Sequence, residues 1–173
     1  MTPLQAVKTG FRKSFTFSGR ANRDEFWPFA FFCIALTFLA DSLDGLLYAN
    51  TDWEPPVRYS FGNVYYQLDA DTLLAPIAFV ALLIPMCAAC WRRLHDAGKP
   101  GWYLVIPLIF ATMFIIFAPI LNRDTVGISV VRFTETAAPV MYIGLWLAVL
   151  VWLINPSEST TNKYGPNPSE VIQ

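Results

Sequence analysis

Charged residues are scarce in this chain. They make up 14% of its 173 residues, against about 25% in typical soluble domains. Hydrophobic residues make up 55%, and a water-soluble fold of this size would have to hide an unusual excess of apolar surface. The net charge of −1 provides no global basic field for nucleic acid. These shortages exclude a nucleic-acid-binding module and favour a membrane protein of one domain.

Cysteine and histidine are also rare, with three residues and one residue. Cys33, Cys87 and Cys90 all lie in apolar runs, which argues against a secreted disulfide framework and indicates small side chains at helix contacts. His95 has no second histidine or cysteine at ligand spacing on its side of the chain, so no metal site is expected. The sequence also lacks a phosphate-binding glycine loop and a dinucleotide fingerprint, so we expect no cofactor and favour a protein that is not an enzyme.

Long apolar runs are abundant instead. A spanning helix needs about 20 mostly apolar residues. Four segments come close to this length or reach it: residues 26–49, 73–91, 102–121 and 137–154. We therefore predict an all-α fold, an integral membrane four-helix bundle over residues 21–155. An amphipathic interfacial segment at 1–20 precedes the bundle, and a tail at 156–173 follows it.

The interfacial segment is predicted from helical periodicity. Its apolar residues recur every three or four positions: Leu4, Val7, Phe11 and Phe15. Lys8, Arg12 and Lys13 occupy other angles of the same helix. This pattern is typical of a helix that lies in the membrane interface, although a helix packed on the bundle would show the same periodicity.

Lysine and arginine predict the orientation of the spans. Nine of the twelve fall before the first span, between the second and third, or in the tail. The other three are Arg58, Arg123 and Arg132. Both termini should therefore lie in the cytoplasm. Four tryptophans fall at the predicted cytoplasmic ends of the spans and act as interface anchors: Trp27, Trp91, Trp102 and Trp152.

Three polar motifs share the predicted cytoplasmic face. Because a surplus of arginine at the interface attracts anions, we predict a site for an anionic lipid headgroup or an acidic partner. The anion-binding candidates are Arg20, Arg23, Arg92, Arg93, His95 and Lys99. Residues expected to orient them are Asn22, Glu25, Asp96, Asn162 and Tyr164.

Local patterns add detail to these motifs. Asn22 with Glu25 resembles a capping box that starts the first spanning helix at about Arg23. Gly98 is placed just past the end of the second spanning helix, where a left-handed turn suits glycine. Arg92 and Asp96 are spaced as a helical ion pair, which we favour over a catalytic His95–Asp96 dyad because adjacent helical residues diverge by about 100°.

Asp41 and Asp44 interrupt the first span. If its helix begins at Arg23, Asp41 lies roughly 27 Å along the axis, near the far edge of the hydrocarbon core. We therefore expect both carboxylates at the interface, near the arginines of that side. A proton or cation relay is the alternative.

The three polar motifs resemble the bacterial domain-of-unknown-function family 805, the YhaH-like inner-membrane proteins. They are "FSGRANRDEFW" at 17–27, "RRLHDAGKPGW" at 92–102 and "NKYGPNP" at 162–168. The resemblance extends over nearly the whole chain and implies a multi-span protein of the bacterial inner membrane. It implies no activity, because the family name assigns none.

Three functions stay open at this point. The first is a non-enzymatic membrane protein with an anion site on its cytoplasmic face. The second is a small ion-coupled transporter that works as a homo-oligomer and uses Asp41 and Asp44. The third is a structural partner of another membrane protein, in which the motifs only stabilise the fold.

Overall fold

The computed structural model describes residues 1–48, 57–61, 64–68, 73–117 and 123–168, with side chains in 1–47, 73–113 and 139–168. The described helices are α1 (Pro3–Arg12), α2 (Arg23–Tyr48), α3 (Leu74–Asp96), α4 (Val105–Phe117) and α5 (Arg123–Ile154). A single 3₁₀ turn, Gly101–Leu104, leads into α4. The prediction of a helical protein is confirmed for this part of the chain.

An antiparallel hairpin lies between α2 and α3 and was not predicted. Strand β1 (Val57–Phe61) pairs with β2 (Val64–Leu68), and the register runs from Val57 opposite Leu68 to Phe61 opposite Val64. The hairpin falls in the segment between the first two predicted spans.

Two helices extend beyond the predicted spans. Helix α3 continues past residue 91 to Asp96, and α5 already begins at Arg123 rather than near residue 137. Hydropathy detects where apolar residues stop, but arginine, glutamate and aspartate interrupt a span without ending a helix. Residues 49 and 118–121 of the predicted spans lie outside the described residues.

Within the described chain, two helices are long and apolar enough to cross a bilayer, Arg23–Leu47 and Leu74–Asp96. Two further apolar helical segments, Gly101–Met113 and Pro139–Ile154, are shorter. Only 22% and 28% of the most apolar windows of the two long helices are buried inside the protein. Large side chains such as Phe38 and Leu46 are more than 70% exposed. This exposure differs from that of a soluble core helix and suits contact with lipid. The four-span bundle remains a prediction.

The helices meet at one end of the molecule. The buried apolar core joins Phe26, Phe29 and Cys33 of α2 to Ala89, Cys90 and Leu94 of α3 and to Val149 and Leu153 of α5. Cys33 and Cys90 are buried in this core and Cys87 packs partly buried against it. The cysteines therefore lie at helix contacts, as the sequence predicts. The polar motifs lie directly beyond this core.

Helix α1 packs on α2 through its small residues. Thr2 and Gln5 form a capping box at its start. Ala6, Thr9 and Gly10 are buried, and Gly10 lies against the ring of Phe29, where a Cβ atom would clash. The bulky apolar side chains Leu4 and Phe11 of this helix stay 66% and 42% exposed. The structure thus combines contact with the bundle and a free apolar surface on one helix.

The far end of α2 is fastened to α3. Asp44 is fully buried, and its carboxylate accepts hydrogen bonds from the backbone N–H groups of Leu74 and Ala75 at 2.9 and 2.8 Å. The N-cap residue of α3, Leu73, has no side chain suited to this task, so α2 supplies the cap. Asp41 is exposed. The arginine partners expected for these aspartates have side chains outside the described part of the chain.

Candidate functional site

The end of α3 buries an unusual amount of charge. Arg92, Arg93, His95 and Asp96 are all buried. The helix stops in a Schellman turn, in which Lys99 N–H donates to Leu94 C=O at 2.9 Å and Gly98 N–H to His95 C=O at 3.1 Å. Gly98 has a φ of 70°, as predicted for the residue past the helix end. The side chain of Glu158 lies against it, so the tail passes directly over this turn.

The segment before α2 packs across the end of α3. Ala21 N–H donates to Arg92 C=O at 3.1 Å, which ties the two motifs together. Helix α2 begins at Arg23, and Asn22 Oδ1 accepts from Glu25 N–H at 2.9 Å. The start of the helix and the cap by Asn22 are confirmed, whereas the second half of the capping box, a bond from the Asn22 N–H to the Glu25 side chain, does not form between these described residues. The side chain of Glu25 binds Lys13 Nζ at 3.3 Å, and Lys13 was not among the predicted site residues.

Asp96 is the hub of the polar cluster, which we define as Arg20, Glu25, Arg92, Arg93, His95 and Asp96. Its carboxylate accepts from Arg20 Nε at 3.0 Å, from Arg93 Nη1 and from the hydroxyl of Ser157. The predicted Arg92–Asp96 ion pair is wrong. Arg93, three residues before Asp96, takes that place, while Arg92 points to the N-terminal segment.

Arg20 and Arg93 use their remaining donors on backbone carbonyls of the tail. Arg20 donates to Glu158 C=O at 2.5 Å and to Thr160 C=O at 2.8 Å. Arg93 donates to Leu153 C=O at 2.9 Å and to Asn155 C=O. The last carbonyls of a helix lack intrahelical partners, so Arg93 satisfies the C-terminus of α5 and both arginines fix the tail.

Arg23 adds a bond at the same helix end, from Nη2 to Ile154 C=O, but its side chain is exposed. Lys99 is half-buried in the turn after α3. Of the six predicted anion-binding residues, these two are the ones that the structure leaves near the surface. The other four are buried among the protein's own groups.

Arg92 is the least satisfied member of the cluster. It is 1% exposed, and its Nη1 donates to Lys13 C=O at 2.8 Å and to Thr16 C=O at 2.6 Å. Its Nη2 lies 3.6 Å from Glu25 Oε1, which is an ion pair without a hydrogen bond. Nε and Nη2 have no hydrogen-bond partner among the described residues. Buried donors of this kind are rare in folded proteins.

His95 holds the tail through stacking. Its ring lies parallel to that of Tyr164, with centroids 3.7 Å apart. Its Nδ1 lies 3.1 Å from the carbonyl of Gly19 and therefore carries the hydrogen. Asn162 Nδ2 donates to His95 C=O at 3.0 Å, and Asn162 pairs with Gly165 across a tight turn. The tail up to residue 168 is thus folded onto the bundle.

A cavity of about 340 Å³ lies between the N-terminal segment and the tail. Its polar lining comes from Lys13, Arg20, Asn22, Glu25 and Tyr164. The cavity therefore lies between the first and third predicted motifs, 17–27 and 162–168. Glu25 links the cavity to Arg92 of the second motif.

The tryptophans differ in environment. Trp102 is 53% exposed, while Trp91 packs edge-on against Phe17 and under Gly101, and Trp152 lies on Tyr103. Trp27 contacts Phe26. Trp102 keeps the exposure of an interface anchor. The other three also contribute to packing.

The cluster combines three buried arginines with two buried carboxylates and one histidine. Over the described ranges, no three potential metal ligands come together. The hydroxyl of Ser157 donates to Asp96 and His95 bonds a backbone carbonyl, so neither forms a nucleophile–base pair.

Sequence reasoning missed Lys13, Ser157 and Glu158, together with the tail carbonyls. Ser157 and Glu158 belong to the "NPSE" segment that directly follows the last predicted span. This position was a signal in the sequence, because residues just beyond a helix end lie next to backbone carbonyls that lack intrahelical partners. Nothing in the sequence pairs Lys13 with Glu25.

Comparisons with known proteins agree with the resemblance seen in the motifs. The model of a family described as "Protein of unknown function (DUF805)" matches residues 14–166. The chain is 29% identical to inner membrane protein YhaH of Escherichia coli K12 over 152 residues, which cover 88% of this chain and 86% of the relative. The protein of the same name from Escherichia coli O157:H7 matches equally. No solved structure is significantly similar.

Proposed function

Because the chain belongs to the DUF805 family, we propose that it is a non-enzymatic, multi-span protein of the bacterial inner membrane with both termini in the cytoplasm. The relatives named as inner membrane proteins and the exposed apolar surfaces of α2 and α3 support this location. We further propose that its cytoplasmic face binds anionic phospholipid.

The observation that carries the lipid proposal is the surface of α1. Its exposed apolar residues Leu4 and Phe11 lie on the same helix as the exposed cations Lys8 and Arg12. Lys8 and Arg12 also line a shallow hollow with Gln5 and Thr9. A helix that presents apolar and cationic groups together at a membrane interface attracts anionic headgroups.

The polar cluster has a different part in this proposal. Its arginines are largely occupied by Asp96 and by tail carbonyls, so the cluster holds α2, α3, α5 and the tail as one rigid cytoplasmic face. Arg23 and Lys99 are the predicted candidates still able to contact headgroups. The rigid face keeps α1 at a fixed depth beside α2.

The test is retention of anionic lipid. The double variant Lys8→Gln/Arg12→Gln, reconstituted in mixed phosphatidylglycerol–phosphatidylcholine nanodiscs, should lose anionic lipid in native mass spectrometry. Each surface cation contributes about 1 kcal/mol, so retention should fall roughly 30-fold at low salt.

The matched control is Lys8→Arg/Arg12→Lys, which keeps both charges and should retain lipid as the parent does. Equal phosphatidylglycerol retention in the glutamine variant would remove α1 from the proposal.

The two alternative functions gain less from the structure. A transporter needs titratable groups free to bind cations, but both carboxylate oxygens of Asp44 accept backbone hydrogen bonds. Asp41 is exposed and remains a candidate cation-binding group for a transporter. Loss of ion flux in vesicles that contain the Asp41→Asn variant would support this hypothesis. Assembly with a second copy or another membrane protein stays a prediction.

A further inference from the structure

The three buried arginines of the polar cluster outnumber its two carboxylates, Glu25 and Asp96. Asp96 serves Arg20 and Arg93, and Glu25 is shared between Lys13 and Arg92. Buried charge is costly unless it is paired and hydrogen-bonded. Four cations therefore share two carboxylates, and Arg92 is the one whose guanidinium keeps two buried N–H groups, Nε and Nη2, without an acceptor among the described residues.

The unpaired atoms of Arg92 have a specific geometry. Nε and Nη2 form one edge of the guanidinium group, and two parallel N–H bonds from that edge match the two oxygens of a carboxylate or phosphate. The opposite atom, Nη1, is fixed by two carbonyls, so the group cannot turn that edge away without losing both bonds. Glu25 Oε1 lies 3.6 Å from Nη2 on this edge, which is too far for a hydrogen bond.

We propose that the cavity lined by Glu25 is a binding site for a phosphate monoester, and that Glu25, whose Oε1 lies 3.6 Å from Arg92 Nη2, is the internal carboxylate that this anion displaces to reach Arg92. Glu25 lines the cavity, and so do Lys13, Asn22 and Tyr164. When Glu25 turns outward, Lys13 Nζ and the open edge of Arg92 are released together, and their two positive charges match a phosphate dianion. The start of α2, capped by Asn22, adds a helix N-terminus that favours anions. About 340 Å³ is enough room for a phosphate group with a small substituent.

This inference goes beyond the lipid surface of α1 and does not depend on it. It leads to an outcome that a structural role of Glu25 would not give. Because Glu25 competes with the anion, Glu25→Gln should tighten phosphate binding. If Glu25 only stabilises the cluster, the same variant should lower stability and leave phosphate binding unchanged.

The experiment uses the full chain in phosphatidylcholine nanodiscs and titrates it with two probes. One is inorganic phosphate, followed by calorimetry, and the other is short-chain phosphatidic acid, followed by native mass spectrometry. We expect Glu25→Gln to bind at least tenfold more tightly than the parent, and Lys13→Gln and Arg92→Lys to bind at least tenfold more weakly. Binding of both probes identifies the phosphate itself as the ligand, whereas binding of the lipid alone identifies a headgroup.

Asp24→Asn is the matched control, because Asp24 is an exposed carboxylate of the same first helical turn and its loss changes the net charge equally. It should leave affinity within twofold of the parent. Equal gains in Asp24→Asn and Glu25→Gln, or no binding of either probe to Glu25→Gln, would overturn the proposal. Lys8→Gln/Arg12→Gln should keep phosphate affinity, so failure of this site and failure of the α1 surface are separable.

Discussion

Asp96 is the residue on which the arrangement of the polar cluster depends most. It is fully buried and is the carboxylate partner of both Arg20 and Arg93. Removing one partner of a buried ion pair costs far more than the pair itself contributes, because the remaining charge stays buried. The identity of this residue was predictable from the motif. Its partners were not, since Arg20 lies 76 residues away in the chain and spacing reports only helical neighbours.

Asp96→Asn should therefore destabilise the protein by about 3–5 kcal/mol, with two arginines left without their carboxylate. The measurement is unfolding by sodium dodecyl sulfate titration in mixed micelles. Asp24→Asn, which changes an exposed carboxylate, should stay within about 0.5 kcal/mol of the parent. A loss below about 1 kcal/mol for Asp96→Asn would mean that the tail carbonyls alone hold both arginines.

At the scale of elements, the sequence located helices better than it located their ends. The start of α2 was predicted because Asn22 caps it locally, and the turn at Gly98 because glycine alone suits its backbone. The end of α3 before Gly98 was predicted in this way, whereas the early start of α5 at Arg123 was missed because charged residues interrupt the apolar run there without ending the helix. The cap that Asp44 gives α3 was missed because it comes from 30 residues earlier in the chain.

The Asp44 cap predicts a specific cost. Asp44→Ala leaves the first N–H groups of α3 without their acceptor, so it should lower stability by about 1–2 kcal/mol in the same detergent titration. Asp41→Ala removes an exposed carboxylate three residues away and should have little effect. If both variants behave alike, the fastening of α2 to α3 contributes nothing measurable.

At the scale of the whole molecule, composition predicted a membrane protein, and the apolar runs predicted the order of its helices. The meeting of three distant motifs at one end required the fold, because only packing brings residues 20, 96 and 158 together. The same end carries the N-terminal segment, the end of α3 with the turn that follows it, and the tail. Nine of the twelve lysines and arginines belong to these three segments.

This charge bias is the basis of the proposed orientation, which can be tested by labelling cysteines from outside the cell. Single cysteines introduced at Thr2 and Ser159, in a variant with its three native cysteines changed to alanine, should resist an impermeant maleimide in intact cells and react after lysis. A cysteine at Asn63, which lies in the sequence between β1 and β2, should react in intact cells. Labelling of Thr2 or Ser159 from outside would reverse the topology and separate the anion site from the cytoplasm.

The bonds that hold the tail have one more consequence. Arg20 and Arg93 bind the carbonyls of residues 153, 155, 158 and 160, and every amino acid carries that group. The two arginines therefore recognise the backbone path of the tail rather than the identity of most of its side chains. Over evolutionary time, substitutions between Ile154 and Thr160 should accumulate freely outside Ser157 and Glu158. Insertions or deletions there should be rare, because one residue more or less shifts every carbonyl out of reach.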